Sequence, residues 1–318
     1  MPSPTAQRHA YKEISLPQIR CFCDAIRLGS FKAAAKSLGL SHPTVLSQVH
    51  ALEHHLGVKL VETHARGCRP TADGRLLAVM VAPLVAGFHS LEHTFQEVRG
   101  KEVQRLIVAT TPRILVDDLP MCVVEFSKNW PNVQIHFEEM RMEEIPEAVE
   151  TGKADLGLTT TSSPTPGNAW IAFEPAYELE VVLITPKDHP LARRRRVSAR
   201  DLAEFPLVNA PPGILDPSVS IALKMLNAFQ AEPRRVEVAN AAAILRYVEM
   251  GFGVGLTLRV PSHLADPKFH ERSLSRELGR VKVHLVWRNG SLMMPHARAF
   301  ADLVKDLLNR KTSQPKTA

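Results

Sequence analysis

Between residues 16 and 28 the apolar side chains fall at Leu16, Ile19, Phe22, Cys23 and Ile26, the spacing of a helix with one buried face. Gly29 stops that helix, and Ser30 is placed to cap a second, Ala-rich one over 31–38. Gly39 permits a tight turn. Ser41 then caps a third helix, with Pro43 in its first turn and Val45, Val49, Leu52 and Leu56 facing inward. The small residues Ala33, Ala34 and Ala35 let two of these helices approach closely. A short strand is predicted at 58–61 and a turn at 64–69. Residues 14–70 therefore read as a mostly helical, winged helix-turn-helix domain.

Leu77, Val81, Leu84, Phe88, Leu91 and Phe95 then recur in steps of four and three, which predicts one long linker helix over 71–100 with a coiled-coil seam. Such a seam calls for a second copy of the chain. Pro83 lies inside it, removes one backbone hydrogen bond and predicts a bend. Beyond 101 the pattern changes. Strands are predicted at 106–109, 133–137, 155–158, 180–184, 207–208, 236–238, 253–256 and 281–287. Helices are predicted at 112–130, 143–152, 218–230, 241–250 and 295–308. This alternation predicts α/β layers around a largely parallel sheet. Breaks at 162–167 and 261–267 read as crossovers. They divide residues 101–310 into lobe I (101–163 and 267–310) and lobe II (164–266). Residues 1–13 and 311–318 are polar and read as a disordered leader and tail.

Composition narrows the function. A chain of 318 residues, 45% hydrophobic, has room for two or more domains. No apolar run reaches the ~20 residues that span a bilayer, and the N-terminus lacks the apolar core of a secretory signal. A cytoplasmic protein without a membrane partner is expected. Charge is uneven: residues 1–70 hold nine Lys/Arg and four acids, a net +5, against +1 for the remainder. A basic module joined to a near-neutral one suggests an anionic polymer as partner of the module alone. Cys21, Cys23, Cys68 and Cys122 form no paired C-x-x-C motif, so they read as reduced thiols, and no metal site is expected.

The outward face of the third helix offers His42, Thr44, Ser47, Gln48 and His50, where a recognition helix meets base edges. Ser41 and Pro43 at its start, with Ser30 and Lys32 on the second helix, extend this candidate DNA-binding set. Arg66 and Arg69 on the wing would reach backbone phosphate.

Gly-Ser-Phe-Lys-Ala-Ala-Ala at 29–35, Leu-Gly-Leu-Ser-His-Pro-Thr-Val at 38–45, Leu-Glu at 52–53, Leu-Gly-Val-Lys-Leu at 56–60 and Arg-Pro-Thr-Ala-Asp-Gly at 69–74 recur here in one contiguous block. In that order they resemble the DNA-binding domain of LysR-type transcriptional regulators. Val61, Thr63, Leu46 and Ser47 depart from the family's usual residues. Downstream, Gly-Lys-Ala-Asp-Leu-Gly-Leu at 152–158, Asp-His-Pro-Leu at 188–191 and the passage from Tyr247 to Gly255 resemble the family's effector domain. The resemblance implies a two-lobed, type-2 periplasmic-binding-protein-like fold. It also implies double-stranded promoter DNA with an inverted repeat, a small-molecule effector, and a homodimer that builds a homotetramer, with RNA polymerase as a possible further partner. The text around Ala109, Thr110 and Thr111 is most similar to the sulphur-assimilation regulators of the family, which implies sulphate or a related metabolite.

Ligands of open α/β sheets lie beyond the carboxyl ends of the strands. That rule selects Thr110, Thr111, Thr159, Thr160, Thr161, Asn209 and Asn240 as candidate effector contacts, with Arg113 a source of charge if it turns inward. Hydroxyls and free backbone N–H groups suit a small anion. Other features are set aside. Gly251, Gly253 and Gly255 follow a helix and enter a strand, the reverse of a dinucleotide fingerprint. Arg193, Arg194, Arg195 and Arg196 read as a solvated loop. His54 and His55 are adjacent and cannot form an i, i+4 metal pair. Neither a nucleophile elbow nor a Walker loop occurs, so neither enzyme activity nor a cofactor is expected. A solute-binding or enzymatic two-lobed domain without gene regulation remains the alternative, because similar folds serve transport and catalysis.

Overall fold

The computed structural model describes residues 13–64, 67–99, 104–160, 170–209, 235–238, 240–261 and 266–309. The predicted helix at 218–230, the break at 162–167, the tail and most of the leader lie outside these residues. The chain divides into two compact units. One comprises Met1–Glu102 with Pro164–Ala172 and Arg288–Leu292; the other comprises Val103–Ser163, Phe173–Trp287 and Met293–Ala318.

The first unit opens with α1 (Leu16–Arg27), α2 (Phe31–Leu38) and α3 (His42–Leu56). Their starts follow from caps. Ser30 Oγ accepts the Ala33 N–H at 3.3 Å, and Ser41 Oγ accepts that of Thr44 at 3.2 Å. Gly39 and Gly57 end α2 and α3 in the left-handed conformation. Helix α1 packs against α2 and α3 and also against the long helix α4 (Ala72–Val98). Enclosure on more than one side buries Cys21 and Cys23 together with Phe22, although the two thiols are only two residues apart. Burial pushes both thiols up in pKa.

The strand expected at 58–61 forms three residues later. The Glu53 carboxylate accepts the N–H groups of Leu60 (2.9 Å) and Val61 (3.2 Å), so these groups are not available to a ladder there. The wing is instead β1 (Val61–His64) antiparallel to β2 (Gly67–Pro70). Cys68 N–H donates to Gly29 O at 2.8 Å, which stitches the wing to the α1–α2 turn. Gly67, at φ +147, is required there: a Cβ would stand 2.2 Å from Gly29 O. Thr71 caps α4 by accepting the Gly74 N–H at 2.9 Å, and its hydroxyl donates to Lys59 O at 2.7 Å. Pro83 lies within α4, and Gly290 rests on it so closely that a Cβ would come within 2.2 Å of Pro83 Cα.

The second unit contains β3 (Arg105–Thr110), a π-helical turn (Ile114–Asp118), α5 (Leu119–Asn129), β4 (Gln134–Glu139), α6 (Ile145–Glu150) and β5 (Leu156–Thr159). There follow β6 (Ile171–Pro186), α7 (Pro190–Arg193), α8 (Ala199–Leu202), β7 (Leu207–Asn209), β8 (Arg235–Glu237) and α9 (Ala241–Glu249). Then come β9 (Val254–Arg259), β10 (Phe269–Ser273), α10 (Ser275–Leu278), β11 (Arg280–Arg288) and α11 (Pro295–Asn309). Among the described residues the strands form one sheet in the order β4-β3-β5-β11-β6-β9-β7-β8, with β10 also paired to β6. β3 is parallel to both β4 and β5, and β7 is parallel to both β8 and β9. The antiparallel pairs of β11 with β5 and β6 with β9 close each parallel trio. These trios are the cores of the two lobes. The main apolar core includes Leu106, Ile114, Phe126, Leu158, Leu183 and Phe300.

The helix expected over 112–130 is broken by the π turn. Leu119 N–H donates to Ile114 O, five residues back. Pro120 has no N–H to continue an α-helical ladder, so the register resets before α5.

Candidate nucleic-acid interface and effector crevice

On α3, Ser41, His42, Pro43, Thr44, Ser47 and His50 are exposed and Gln48 is half-buried. Ser30 is half-buried and Lys32 exposed on α2. Arg69 is exposed on the wing, with its Nε 3.1 Å from Glu62; Arg66 lies outside the described residues. The hydroxyls of Ser30 and Ser41 thus serve the helix starts. His42 meets Phe31 edge-on at 6.3 Å between ring centroids, which fixes the start of α3 against α2. Glu53 has a role that sequence pattern alone does not assign. Its carboxylate is bound by Lys59 Nζ at 2.7 Å and by the N–H groups of Leu60 and Val61, where the wing begins. Burial acts to raise its pKa, but these hydrogen bonds outweigh burial and hold it below the usual carboxylate range.

Helix α4 exposes four of the six residues of the expected stripe. Leu84, Phe88, Leu91 and Phe95 are half or more exposed, and so are Leu76 and Met80. Val81, in contrast, is 7% exposed and belongs to the unit's own core with Val85, while Leu77 packs against that core. The upper part of the outward stripe therefore runs through Leu76 and Met80, because α1 occupies the other face.

In the second unit the expected effector contacts fall at two topological switch points. The chain leaves β3 for β4 on one side and returns to β5 on the other; likewise it leaves β7 for β8 and returns to β9. Thr110 ends β3, with Thr111 next, and Thr159 ends β5, with Thr160 next. Asn209 ends β7, and Asn240 precedes α9. Thr161 lies outside the described residues. Thr110 is fully buried and its hydroxyl donates to Leu158 O at 3.4 Å. Thr159 Oγ1 donates to Met142 O at 3.3 Å. Thr160 Oγ1 meets the Met142 sulphur at 3.6 Å, and Thr111 is half-buried. Asn209 is buried; Asn240 is exposed and caps α9 by accepting the Ala242 N–H at 2.8 Å.

Arg113 is engaged inside the fold. It forms a two-pronged bond with Asp118, at 3.1 and 2.6 Å, and the Tyr177 hydroxyl donates to the same carboxylate at 2.6 Å. Nearby, Arg259 lies 3.3 Å from Asp117. Burial acts against the charged guanidinium of Arg113, but Asp118 overrides it and raises the pKa. Burial first, then Asp118, raises that of Tyr177. The signal for this network was present in the sequence as two aspartates, Asp117 and Asp118, inside an otherwise apolar stretch. Among the described residues no group of His, Cys, Asp and Glu is arranged to hold a metal, and no helix is long and apolar enough to cross a membrane.

Residues 16–75 match the family described as "Bacterial regulatory helix-turn-helix protein, lysR family", and residues 99–309 match "LysR substrate binding domain". The transcriptional regulator CysB of Burkholderia cenocepacia is 26% identical over 312 residues, covering 94% of this chain and 95% of its own. An H2O2-bound OxyR mutant of Corynebacterium glutamicum is 20% identical, with a TM-score of 0.53 and 92% of each chain covered. CbnR, solved full-length in complex with target DNA, is 20% identical, with a TM-score of 0.50 and 92% of this chain and 98% of that one covered. At these identities the likeness to the solved structures is one of fold. The two family matches span both units in order, and the chain belongs to the LysR family of bacterial transcriptional regulators, with a helix-turn-helix DNA-binding domain ahead of an effector-binding domain.

Proposed function

We propose that this regulator senses a small anion at the switch point between β3 and β5 and transmits its presence to promoter DNA. The observation that carries this reading is the placement of Thr110, Thr111, Thr159 and Thr160 at the ends of two adjacent parallel strands. Thr110 and Thr159 are engaged by the fold, which leaves Thr111 and Thr160 as the hydroxyls facing a ligand. With Arg113 bound to Asp118, the anion would be held by hydroxyl and backbone N–H donors. The similarity to CysB across most of the chain favours sulphate or a sulphur-assimilation metabolite.

On the DNA side, α3 enters the major groove with Thr44, Ser47, Gln48, His42 and His50 toward base edges, while the wing arginines Arg66 and Arg69 rest on phosphate. The apolar stripe of α4 pairs two copies and so presents two recognition helices to an inverted repeat. Further contacts between effector domains build the tetramer. The protein works in the cytoplasm, and its output passes to RNA polymerase. An effector shifts this assembly only by binding its two arrangements with different affinity. Calorimetry of the full chain with inorganic sulphate tests the reading. Saturable binding that also changes the footprint on the promoter beside its own gene supports it. Absence of binding by sulphate, thiosulphate and small carboxylates alike overturns the anion assignment.

A further inference from the structure

The sequence reads 193–196 as a solvated loop, but the structure shows a braced one. Arg194 pairs with Asp201 and, at 3.3 Å, with Glu204. Asp201 also accepts the N–H and hydroxyl of Ser198, each at 2.7 Å. From the neighbouring strand β10, the Arg272 guanidinium donates to Arg195 O (3.1 Å), Arg194 O (2.7 Å) and Ala192 O (3.4 Å). Leu191 and Val197 anchor both ends of the run in the core. Two arginines therefore hold the backbone, while the other three, Arg193, Arg195 and Arg196, are exposed and make no ion pair among the described residues.

We propose that this arginine platform on lobe II is a second, sequence-independent contact with DNA phosphates, beyond the stretch held by the helix-turn-helix. Guanidinium groups bind phosphate in a two-pronged geometry, and a fixed backbone lowers the ordering cost of doing so. A protein partner is the less suitable occupant. Protein interfaces centre on desolvated apolar side chains, and no large apolar side chain is exposed among the described residues of 187–209 or 266–276. Phosphate contacts need none. The proposal rests on the DNA-binding reading, which the shorter probe below tests separately.

The test compares the full chain with its Arg193→Gln/Arg195→Gln/Arg196→Gln variant by fluorescence anisotropy across a salt series, on mixed-sequence duplexes of about 25 and about 60 base pairs. On the longer duplex the variant should bind at least ~5-fold more weakly, with the salt slope of log K reduced by about 2–3. On the shorter duplex its affinity should stay within about twofold, and its thermal midpoint should be unchanged. Equal losses on both duplexes overturn the proposal, because the arginines would then belong to the primary interface or to the fold. No loss on either duplex overturns it as well, even if the variant fails to engage RNA polymerase. If the unmodified chain does not bind the shorter duplex, the DNA-binding reading falls with it.

Discussion

Arg113 and Asp118 form a two-pronged ion pair, 3.1 and 2.6 Å, whose carboxylate is 1% exposed and also receives the Tyr177 hydroxyl. The pair ties the π turn to β6, the sixteen-residue strand that joins the two halves of the sheet. Removing one partner leaves the other charge buried and alone. Asp118→Ala should therefore cost about 3–5 kcal/mol in urea denaturation. Tyr177→Phe loses one bond to a charged group and should cost about 1.5–3 kcal/mol. Replacing both charges, Arg113→Met with Asp118→Leu, should cost less than Asp118→Ala alone. An Asp118→Ala protein that unfolds no earlier would show that this network does not hold the fold.

Glu53 gives the first unit an acid limit. Its folded pKa is depressed, because the hydrogen bonds from Lys59, Leu60 and Val61 outweigh burial. A depressed carboxyl stabilises the fold above its unfolded value of about 4.3, and that contribution disappears as pH falls through the folded value. Stability measured by urea melts should therefore decline below about pH 5. Glu53→Gln should lower stability by about 1–3 kcal/mol at neutral pH and make the acid decline shallower. An unchanged acid limb in the variant would assign the decline to other carboxylates.

The α4 stripe separates folding from assembly. Leu84 and Leu91 are exposed in the single chain, whereas Val81 lies in its core. Leu84→Asp with Leu91→Asp should abolish association in sedimentation velocity while leaving the melting midpoint of the monomer nearly intact. Val81→Asp buries an unpaired charge and should instead lower the midpoint sharply. Unchanged association of the first variant would sink the proposed seam.

The helical elements of the first unit were legible because their signals are local. Ser30, Ser41, Gly39 and Gly57 mark boundaries whatever surrounds them. The seam at Val81 was not, because a heptad repeat states which faces are apolar and leaves open which of them the chain itself covers. In the second unit the parallel strands β3 and β5 stood out as continuous apolar runs buried on both faces. β6 was read only at 180–184, since Glu174, Pro175 and Glu178 interrupt its first half. β10 carries a single apolar residue, Phe269, and forms by pairing with β6 from 83 residues away in register terms, Phe269 opposite Pro186. Non-local pairing of that kind leaves no periodic trace. The threonines at the strand ends were found by rule, and the fate of Arg113 required its partner.

On the proposed reading, the candidate DNA face divides into contacts that specify and contacts that hold. Gln48 is half-buried on α3 and Arg69 is exposed on the wing. Gln48→Ala should cost about 1–3 kcal/mol of affinity for the specific site and little for random DNA. Arg69→Gln should weaken both alike and lower the salt slope by about 0.9. Filter binding on both duplexes reads the difference, and equal loss of discrimination in the two variants would contradict the division.

Thr110 and Thr111 are adjacent but should answer to different tests. Thr110 is fully buried with its hydroxyl directed at Leu158 O, so Thr110→Val should reduce stability and affect ligand binding only through it. Thr111 is half-buried, one residue past β3, at the position where the proposed ligand would sit. Thr111→Val preserves shape and removes the donor, which leaves a bound anion oxygen without its partner. Affinity for sulphate, followed by calorimetry on the full chain, should fall by about 1–3 kcal/mol, with the melting midpoint unchanged in the absence of ligand. Thr160→Val should behave in the same way, since its hydroxyl has only the weak Met142 sulphur contact to lose. If both variants bind sulphate as tightly as the unmodified protein, the threonines serve only the ends of their strands and the ligand is held elsewhere.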